Sequence, residues 1–299
     1  MLNKLEDLLE IVKKQKKRRL VVAAAADLHV IEAVGDAVKN NIVIPILVGN
    51  KKIIEEIAQK TGLDLKNIEI VDEQDDIKAC ETAVKYIRDN KADILMKGLV
   101  ATAILLKAVL DKENGLRKNS ILSHFTLIES PYYHKLFGIT DAAMNIAPEL
   151  QDKVSIINNA VDVVRGIGIK NPKVAILGPV ELVNPKIEST VHADIIAQMN
   201  KRGEIKNCII GGPLALDNAI SKEACKIKKI ESEVGGDADI LVAPELNAGN
   251  ILYKSLSFLG GAKTAAVVVG AKCPIVLTSR ADSEFSKLYS IILSAAMLT

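Results

Sequence analysis

Two clusters of polar side chains near the end of the chain have the types and spacing needed to bind and transform an anion. Each follows an apolar, β-branched run, at residues 239–242 and 275–277, and precedes a helical pattern. The first cluster supplies an amide, a phenol and an ammonium group: Asn250, Tyr253 and Lys254. The second supplies a hydroxyl, a guanidinium and a carboxylate: Ser279, Arg280 and Asp282. Because ligands of open parallel sheets bind at the carboxyl ends of strands, these junctions predict a site for an anionic, phosphorylated substrate.

The spacing within the first cluster fits a binding face on a helix. Asn250 and Lys254 are four residues apart and therefore share one face. Gly249 permits close backbone approach, and the N-terminus of a helix favours an anion. The alternative is an ordinary capped helix whose lysine extends into solvent.

The second cluster places a donor, a fixed cation and an acid on one tight junction. A planar guanidinium such as that of Arg280 is suited to two-point capture of a phosphate group. The alternative is a structural arginine that pairs with a carboxylate, which is the commonest role of a half-buried arginine.

Two other predicted strand ends carry polar residues that could belong to a site. The apolar run at residues 93–96 is followed by Lys97 and, after a turn, by Thr102. A solvated strand end and a helix N-cap explain these two residues equally well. Asp217 follows a glycine pair at residues 211–212, and helix capping accounts for it as well as a binding role does.

The chain lacks the motifs of several common enzyme classes. It has no Walker A sequence, no GxGxxG and no GxSxG, so those types of nucleotide hydrolysis, dinucleotide redox chemistry and serine hydrolysis have no support. The histidines show no HExxH spacing and lie near no cysteine pair, so no metal site is expected. They are His29, His124, His134 and His192.

Composition indicates a globular protein long enough for two domains, with 299 residues, 49% hydrophobic and 25% charged. A formal net charge of +2, no tryptophan and 3% aromatic residues argue against nucleic-acid partners. No apolar run is long enough for a bilayer and no signal-peptide core is apparent, so no membrane association and a cytoplasmic location are expected. Cysteines without a CxxC pair are expected as reduced thiols: Cys80, Cys208, Cys225 and Cys273.

Alternating apolar runs and helical patterns must position these residues. Strands are expected at residues 20–25, 44–48, 68–71, 93–96, 173–177, 208–210 and 239–242, with a last strand and helix after 274. The first helix is expected over residues 2–17. This order predicts parallel sheets covered on both faces. Residues 121–147 mix polar and apolar residues and are expected to form the crossover between two α/β units.

At these residues the chain resembles the phosphate acetyltransferase/phosphate butyryltransferase family, and the butyryl branch more closely. The resemblance runs in the family's order from about residue 90 to the end, whereas the N-terminal third matches only in general pattern. The matching segments are 95–102, 121–124, 139–145, 172–175, 181–186, 212–219, 248–254 and 277–282.

The resemblance implies a fold of the isocitrate/isopropylmalate dehydrogenase-like class. This fold has two three-layer α/β domains with the site in the cleft between them. The domains are expected at residues 1–140 plus 272–299 and at 141–271. The implied activity transfers a short acyl group, with butyryl favoured, between coenzyme A and inorganic phosphate. Coenzyme A is then a substrate, no bound cofactor is expected, and a homodimer or larger homo-oligomer is implied.

Residue by residue, the resemblance assigns Ser279 and Arg280 to the active site and Ser123 to the phosphate side. Acetyl-transferring members place a catalytic aspartate several residues beyond their Ser-Arg pair. Here Asp282 and Glu284 are both candidates for that base, and Asp282 is favoured because it is nearer to Ser279. The family's GN-x-x-YK block, assigned to phosphate or acyl-phosphate binding, matches Asn250, Tyr253 and Lys254. Further candidates in matched segments are Lys97, Thr102, Asp141 and Asp217.

The implied reaction proceeds by direct transfer. In the direction that acylates coenzyme A, a carboxylate takes the thiol proton and the thiolate attacks the acyl phosphate. A hydroxyl and an amide steady the oxyanion, while Arg280 with Lys254 neutralises the departing phosphate. Phosphate acetyl transfer is the first alternative. A 2-hydroxy-acid dehydrogenase would need a cluster of metal-binding aspartates, which the sequence lacks, and a non-catalytic coenzyme-A-binding protein would show no turnover.

Overall fold

The structure is a computed structural model that describes residues 2–118, 121–277 and 283–298. Within these ranges the strands are β1 Arg18–Ala23, β2 Val43–Gly49, β3 Glu69–Asp72, β4 Ile94–Lys97, β5 Ser123–Glu129, β6 Phe137–Thr140, β7 Lys173–Leu177, β8 Ile209–Leu214, β9 Ile240–Val242, β10 Lys263–Val269 and β11 Ile275–Val276. The helices are α1 Asp7–Val12, α2 Leu28–Lys39, α3 Lys51–Thr61, α4 Asp76–Arg88, α5 Thr102–Val109, α6 Leu150–Gly166, α7 Glu188–Lys201, α8 Leu216–Ile220, α9 Lys222–Ile227, α10 Leu246–Phe258 and α11 Glu284–Ala296.

The chain divides into two compact units, each built from strands and helices. The N-terminal unit comprises residues 6–120 and 265–299, and the central unit comprises residues 1–5 and 121–264. The predicted domains, 1–140 plus 272–299 and 141–271, stay a prediction. The observed units place β6 with the central strands because it pairs with β9.

The N-terminal unit has the strand order β3-β2-β1-β4-β11-β10. The first five of these strands are parallel, and β10 runs antiparallel to β11. Residues 20–23 of β1 are all fully buried, as expected for a central strand covered on both faces. Helix α11 packs on α1 and α2, and α4 packs on α5.

The central unit has the strand order β5-β6-β9-β7-β8. Strands β6, β9, β7 and β8 are parallel, so their carboxyl ends share one edge, whereas β5 is antiparallel to β6. The prediction that residues 121–147 form a crossover is wrong, since this stretch contains β5 and β6. The first six residues of β5 are buried although they include Ser123, His124 and Thr126. Because these buried residues are polar, the segment lacks the apolar pattern by which a buried strand is predicted.

Two other elements differ from the sequence prediction. Helix α1 covers only Asp7–Val12 instead of residues 2–17, although Leu5, Leu8 and Val12 are buried as its apolar pattern predicts. Strand β10 was not predicted, and its pairing with β11 makes part of the sheet antiparallel.

All four cysteines are buried and unpaired, which confirms the prediction of free thiols without disulfides. Burial raises the pKa of the Cys80 and Cys208 thiols to about 11 and that of Cys273 to about 12. Each thiol is therefore protonated and packs as a small apolar group. Among the described residues, no helix combines the length and hydropathy that crossing a membrane would require.

A group of ion pairs lies at the amino ends of the parallel strands β7 and β9. Lys135, which is 7% exposed, places its Nζ 2.6 Å from Asp239 and 3.0 Å from Asp237. Asp237 also accepts from Lys173 at 2.7 Å and contacts His134 at 3.0 Å. Burial by itself raises the pKa of Asp237, but these donors outweigh burial and hold the pKa well below its usual range.

Candidate functional site

Helix α10 presents the three side chains of the first predicted cluster. It follows β9 directly at the carboxyl edge of the central unit's sheet. Its N-cap is Glu245, whose carboxylate accepts from the backbone N–H groups of Asn247 at 2.8 Å and Ala248 at 2.7 Å. The sequence predicts that these backbone N–H groups bind a substrate anion. In the structure they donate to the chain's own carboxylate instead. Asn250 instead lies in the second turn.

Gly249 allows α10 to approach the loop that follows β6. A Cβ atom at Gly249 would lie 2.3 Å from the carbonyl oxygen of Asp141, so no other residue fits without moving the backbone. The adjacent Asn250 donates its Nδ2 to the carbonyl oxygen of Ala142 at 3.0 Å. The predicted close backbone approach is thus present, and its partner is protein backbone.

Asp141 organises the loop that receives Asn250. It is 4% exposed, and its Oδ1 accepts from the backbone N–H groups of Ala143 at 2.8 Å and Met144 at 3.0 Å. Asn145 donates its Nδ2 to Asp141 Oδ2 at 2.6 Å. With its carboxylate engaged by three donors, Asp141 holds the loop in place.

Ser123 lies at the start of β5 and is fully buried. Its Oγ accepts a hydrogen bond from Asn159 Nδ2 at 3.0 Å, and the same amide donates to the carbonyl oxygen of Ile121 at 2.9 Å. Asn159 comes from α6, so this amide fixes the orientation of the serine hydroxyl relative to the helix.

Tyr253 combines packing with a position beside His124. Its ring packs against the apolar core of the central unit, and its centroid lies 6.2 Å from that of His124 in an edge-on arrangement. Lys254 is exposed, with its Nζ 5.7 Å from the ring centroids of both Tyr253 and Phe258. At this distance the rings attract the cation and restrict its position.

Asp217, in α8, pairs with other charged side chains. Its Oδ2 is 2.9 Å from Lys228 Nζ, which also lies 2.8 Å from Glu181. The hydrogen bond from Lys228 lowers the pKa of Asp217. These contacts favour a structural ion pair over a binding role for Asp217.

Lys97 and Thr102 belong to the N-terminal unit. Lys97 is the last residue of β4, and its Nζ donates to the carbonyl oxygens of Gly98 and Val100 at 3.1 Å each. Thr102 is the first residue of α5, and the N-cap is Ala101, so the expected capping role of Thr102 is not observed.

Glu284 begins α11 and is exposed. One ligand atom from each of Glu284, His29 and Glu32 lies within 4.8 Å of the others. Exposed acidic groups often lie this close without an ion, so the arrangement does not by itself make a metal site. The remaining predicted site residues, Ser279, Arg280 and Asp282, lie outside the described residues.

The structure adds four polar residues to the candidates in the central unit: His124, Asn145, Asn159 and Glu245. The sequence raises His124 only as a possible metal ligand. An asparagine at position 159, between the apolar residues Ile157 and Ala160 of a predicted helix, is a signal for a buried hydrogen-bond role. Glu245 directly precedes a predicted helix and could have been read as its cap.

A sequence model described as "Phosphate acetyl/butaryl transferase" matches residues 4–87 and 77–295. The chain therefore belongs to the phosphate acetyl/butyryl transferase family and is an acyltransferase, which confirms the resemblance seen in its sequence. It is 46% identical over 295 residues to the phosphate butyryltransferase of Clostridium beijerinckii, covering 99% of this chain and 98% of that protein. It is 44% identical over 291 residues to the phosphate acetyltransferase of Thermotoga maritima, covering 97% and 98%.

Solved structures confirm the predicted fold class. A branched-chain phosphotransacylase from Enterococcus faecalis matches with a TM-score of 0.83 and 34% identity, covering 94% of this chain and 98% of that one. A putative 4-hydroxythreonine-4-phosphate dehydrogenase from Salmonella typhimurium matches with a TM-score of 0.58 and 12% identity, covering 94% and 99%. The second match shows that the fold is shared with a dehydrogenase.

Proposed function

We propose that the chain transfers a butyryl group between coenzyme A and inorganic phosphate. The reaction is butyryl-CoA plus phosphate to butyryl phosphate plus coenzyme A. The near-complete alignment with the clostridial phosphate butyryltransferase carries this proposal. Coenzyme A is a substrate in this scheme, and the chemistry requires no bound cofactor.

Arg280 and Ser279 are proposed to bind inorganic phosphate, or the phosphate end of the acyl phosphate, next to the acyl group that is transferred. Arg280 offers a planar fork of donors that matches a phosphate. In the central unit, Ser123 and Asn250 are proposed to contact the phosphate or acyl phosphate. Support for these two comes from their fixed positions, since each makes a hydrogen bond to a neighbouring element.

The ammonium group of Lys254 is proposed to supply a second positive charge beside Tyr253. Its exposure leaves it accessible to a ligand, and the two flanking aromatic rings limit the space it samples. A cation held in this way loses less entropy when it meets a phosphate.

The thiol of coenzyme A requires a general base, and Asp282 is proposed for it. A carboxylate takes the thiol proton, the thiolate attacks the acyl carbon, and the bond from that carbon to the phosphate oxygen breaks. Arg280 and Lys254 stabilise the negative charge on the departing phosphate. In the reverse direction, phosphate attacks the thioester and the same carboxyl group returns the proton.

Phosphate acetyl transfer is the second candidate, because the chain aligns nearly as well with the acetyltransferase of Thermotoga maritima. A thiol-release assay with acetyl-, propionyl-, butyryl- and branched acyl-CoA, each with and without phosphate, separates the two. We expect the highest kcat/KM with butyryl-CoA. A strong preference for acetyl-CoA would overturn the proposed preference for a butyryl group. The absence of phosphate-dependent thiol release with every acyl-CoA would overturn the proposed acyl transfer.

A homodimer or larger homo-oligomer and a cytoplasmic location are also proposed. On and just after α10, Ile251, Phe258 and Leu259 are 66%, 70% and 88% exposed, which favours contact with a partner surface. Light scattering coupled to gel filtration should give at least twice the monomer mass of 32.2 kDa. A monomer at micromolar concentration would contradict this.

A further inference from the structure

A cavity of about 750 Å³ lies within the central unit, among the first turns of three helices. Helices α6, α7 and α10 each contribute to its wall near their N-termini. Its charged and titratable lining residues are Glu149, Lys153, Glu188, His192 and Glu245. None of these residues has a role in the transfer proposed above.

Lys153 is the unusual residue of this cavity because its side chain is 3% exposed and carries an amine. Its Nζ lies 3.0 Å from His192 Nδ1. Within the described part of the chain, no carboxylate oxygen lies within the 4.0 Å of an ion pair with this Nζ. The amine therefore lacks the close anionic partner that a buried lysine normally has.

The surroundings shift the protonation equilibria of both side chains toward the uncharged forms. Burial lowers the pKa of Lys153, and the charges of Glu188 and Glu245 oppose this without cancelling it. Burial also lowers the pKa of His192, with a further contribution from the charge of Lys153. A neutral lysine amine is a nucleophile, and a neutral imidazole nitrogen can accept its proton.

We propose that Lys153 is a self-acylation site, at which its Nζ takes the acyl group from an acyl phosphate that enters the cavity. This inference rests on the proposed function, because an acyl phosphate is then the enzyme's own product or substrate. The cavity has room for a small acyl phosphate beside the lysine. His192 is the positioning and proton-accepting partner of the amine.

The step balances without any additional reagent. The lone pair of the neutral Nζ attacks the carbonyl carbon, and a new C–N bond forms. The bond from that carbon to the phosphate oxygen breaks, and inorganic phosphate leaves with its electron pair. One proton of Nζ passes to His192 Nδ1 and then to solvent. The resulting amide retains one N–H, which can donate again to the same imidazole nitrogen.

The glutamates at the cavity are compatible with an incoming phosphate. Glu245 accepts from two backbone N–H groups at the start of α10, and Glu149 caps the start of α6. The positive ends of these two helices offset the carboxylate charges. Glu188 lies in the first turn of α7, where the same effect applies.

The test exposes the purified full-length protein to chemically prepared acetyl phosphate in the absence of coenzyme A. Peptide mass spectrometry then gives the rate of acetylation at each lysine. We expect Lys153 to react at least tenfold faster than Lys201, an exposed lysine at the end of α7. Acetylation of Lys153 no faster than that of Lys201 would overturn the proposal, and this comparison needs no variant.

Two further experiments test the role of His192 and the identity of the acyl donor. His192→Gln keeps a polar side chain but removes the base, so acetylation of Lys153 should slow at least tenfold while that of Lys201 is unchanged. An unchanged rate at Lys153 would overturn the role of His192. Acetyl-CoA alone should label Lys153 more slowly than acetyl phosphate, and the reverse order would overturn the assigned donor. Because turnover is not required, these results are independent of the acyl-CoA assay.

Discussion

Arg280 carries the most demanding role of any single residue in the proposed reaction, because it must match both the charge and the shape of a phosphate. Arg280→Lys keeps the charge but replaces a two-point fork by a point donor. By comparison with other oxyanion donors, we expect a loss of about 2–4 kcal/mol of transition-state stabilisation, or about 30- to 1,000-fold in kcat. Steady-state kinetics with a folded variant measures this.

The matched control for this variant is Arg202→Lys, which alters an exposed arginine paired with Glu204. It should leave kcat unchanged. If Arg280→Lys retains near-full turnover with a normal circular dichroism spectrum, Arg280 is structural and the phosphate site lies elsewhere.

Substitution of the two candidate general bases, Asp282 and Glu284, distinguishes between them. Asp282→Asn should lose far more turnover than Glu284→Gln, with KM less affected, because only the base acts on the thiol proton. The loss should shrink as the pH rises toward the thiol's own pKa of about 8.5, where thiolate forms without help. A pH profile of kcat for both variants, with butyryl phosphate and coenzyme A as substrates, checks this. Equal activity of Asp282→Asn and the parent at neutral pH would exclude Asp282.

At the level of single residues, the sequence predicts some features of helix α10 and not others. The spacing of Asn250 and Lys254 predicted their helix, and Gly249 predicted a close approach. The sequence did not show that Glu245 fills the helix N-terminus. A carboxylate before a helix can be a cap or a catalytic acid, and only its hydrogen bonds to Asn247 and Ala248 distinguish these.

At the scale of elements, the contact between α10 and the loop after β6 sets the position of Asn250. Gly249→Ala would place a Cβ 2.3 Å from the carbonyl oxygen of Asp141. We expect a destabilisation of about 1–3 kcal/mol from overpacking, together with reduced turnover because α10 must shift. Urea denaturation and kcat measure the two effects.

Gly35→Ala is the control for this substitution, since it also changes a glycine inside a helix. Its added Cβ would meet only Leu63 Cδ1, at an ordinary 3.7 Å. It should be neutral or stabilise by up to about 1 kcal/mol, owing to the higher helix propensity of alanine. Equal behaviour of the two alanine variants would contradict the close contact at Gly249.

Elements with regular apolar patterns were predictable, and elements with polar interiors were not. Strand β7 matches the predicted residues 173–177 because its interior is an unbroken apolar run. The pattern of strand β5 predicts a crossover instead of a strand. Its polar residues Ser123, His124 and Thr126 are buried through hydrogen bonds and packing that a sequence does not display. One of these buried polar residues, Ser123, is also a proposed site residue.

At the scale of the whole molecule, charge pairs at the amino ends of β7 and β9 couple stability to pH. The pKa of Asp237 lies well below its ordinary value of 3.8. A depressed carboxyl pKa stabilises the fold above that ordinary value, and the contribution is lost as the pH falls through the folded-state pKa. Asp237→Asn should cost about 2 kcal/mol at pH 7, and the difference from the parent should narrow below about pH 4.

Urea denaturation at pH 7, 5, 3 and 2 measures this trend. The control is Asp36→Asn, which removes an exposed pair with Lys39 and should change stability little at any of these pH values. A difference in unfolding free energy between Asp237→Asn and the parent that stays constant from pH 7 to 2 would show that the carboxylate charge of Asp237 is not the source of stability.

The central claim is that this chain moves an acyl group between coenzyme A and phosphate, with butyryl preferred. The most direct measurement is phosphorus NMR of the purified protein with butyryl-CoA and inorganic phosphate. The account predicts a new acyl-phosphate resonance that grows in equal amount to the free thiol and requires both substrates. Thiol release without that resonance, or no reaction with any short acyl-CoA, would contradict it.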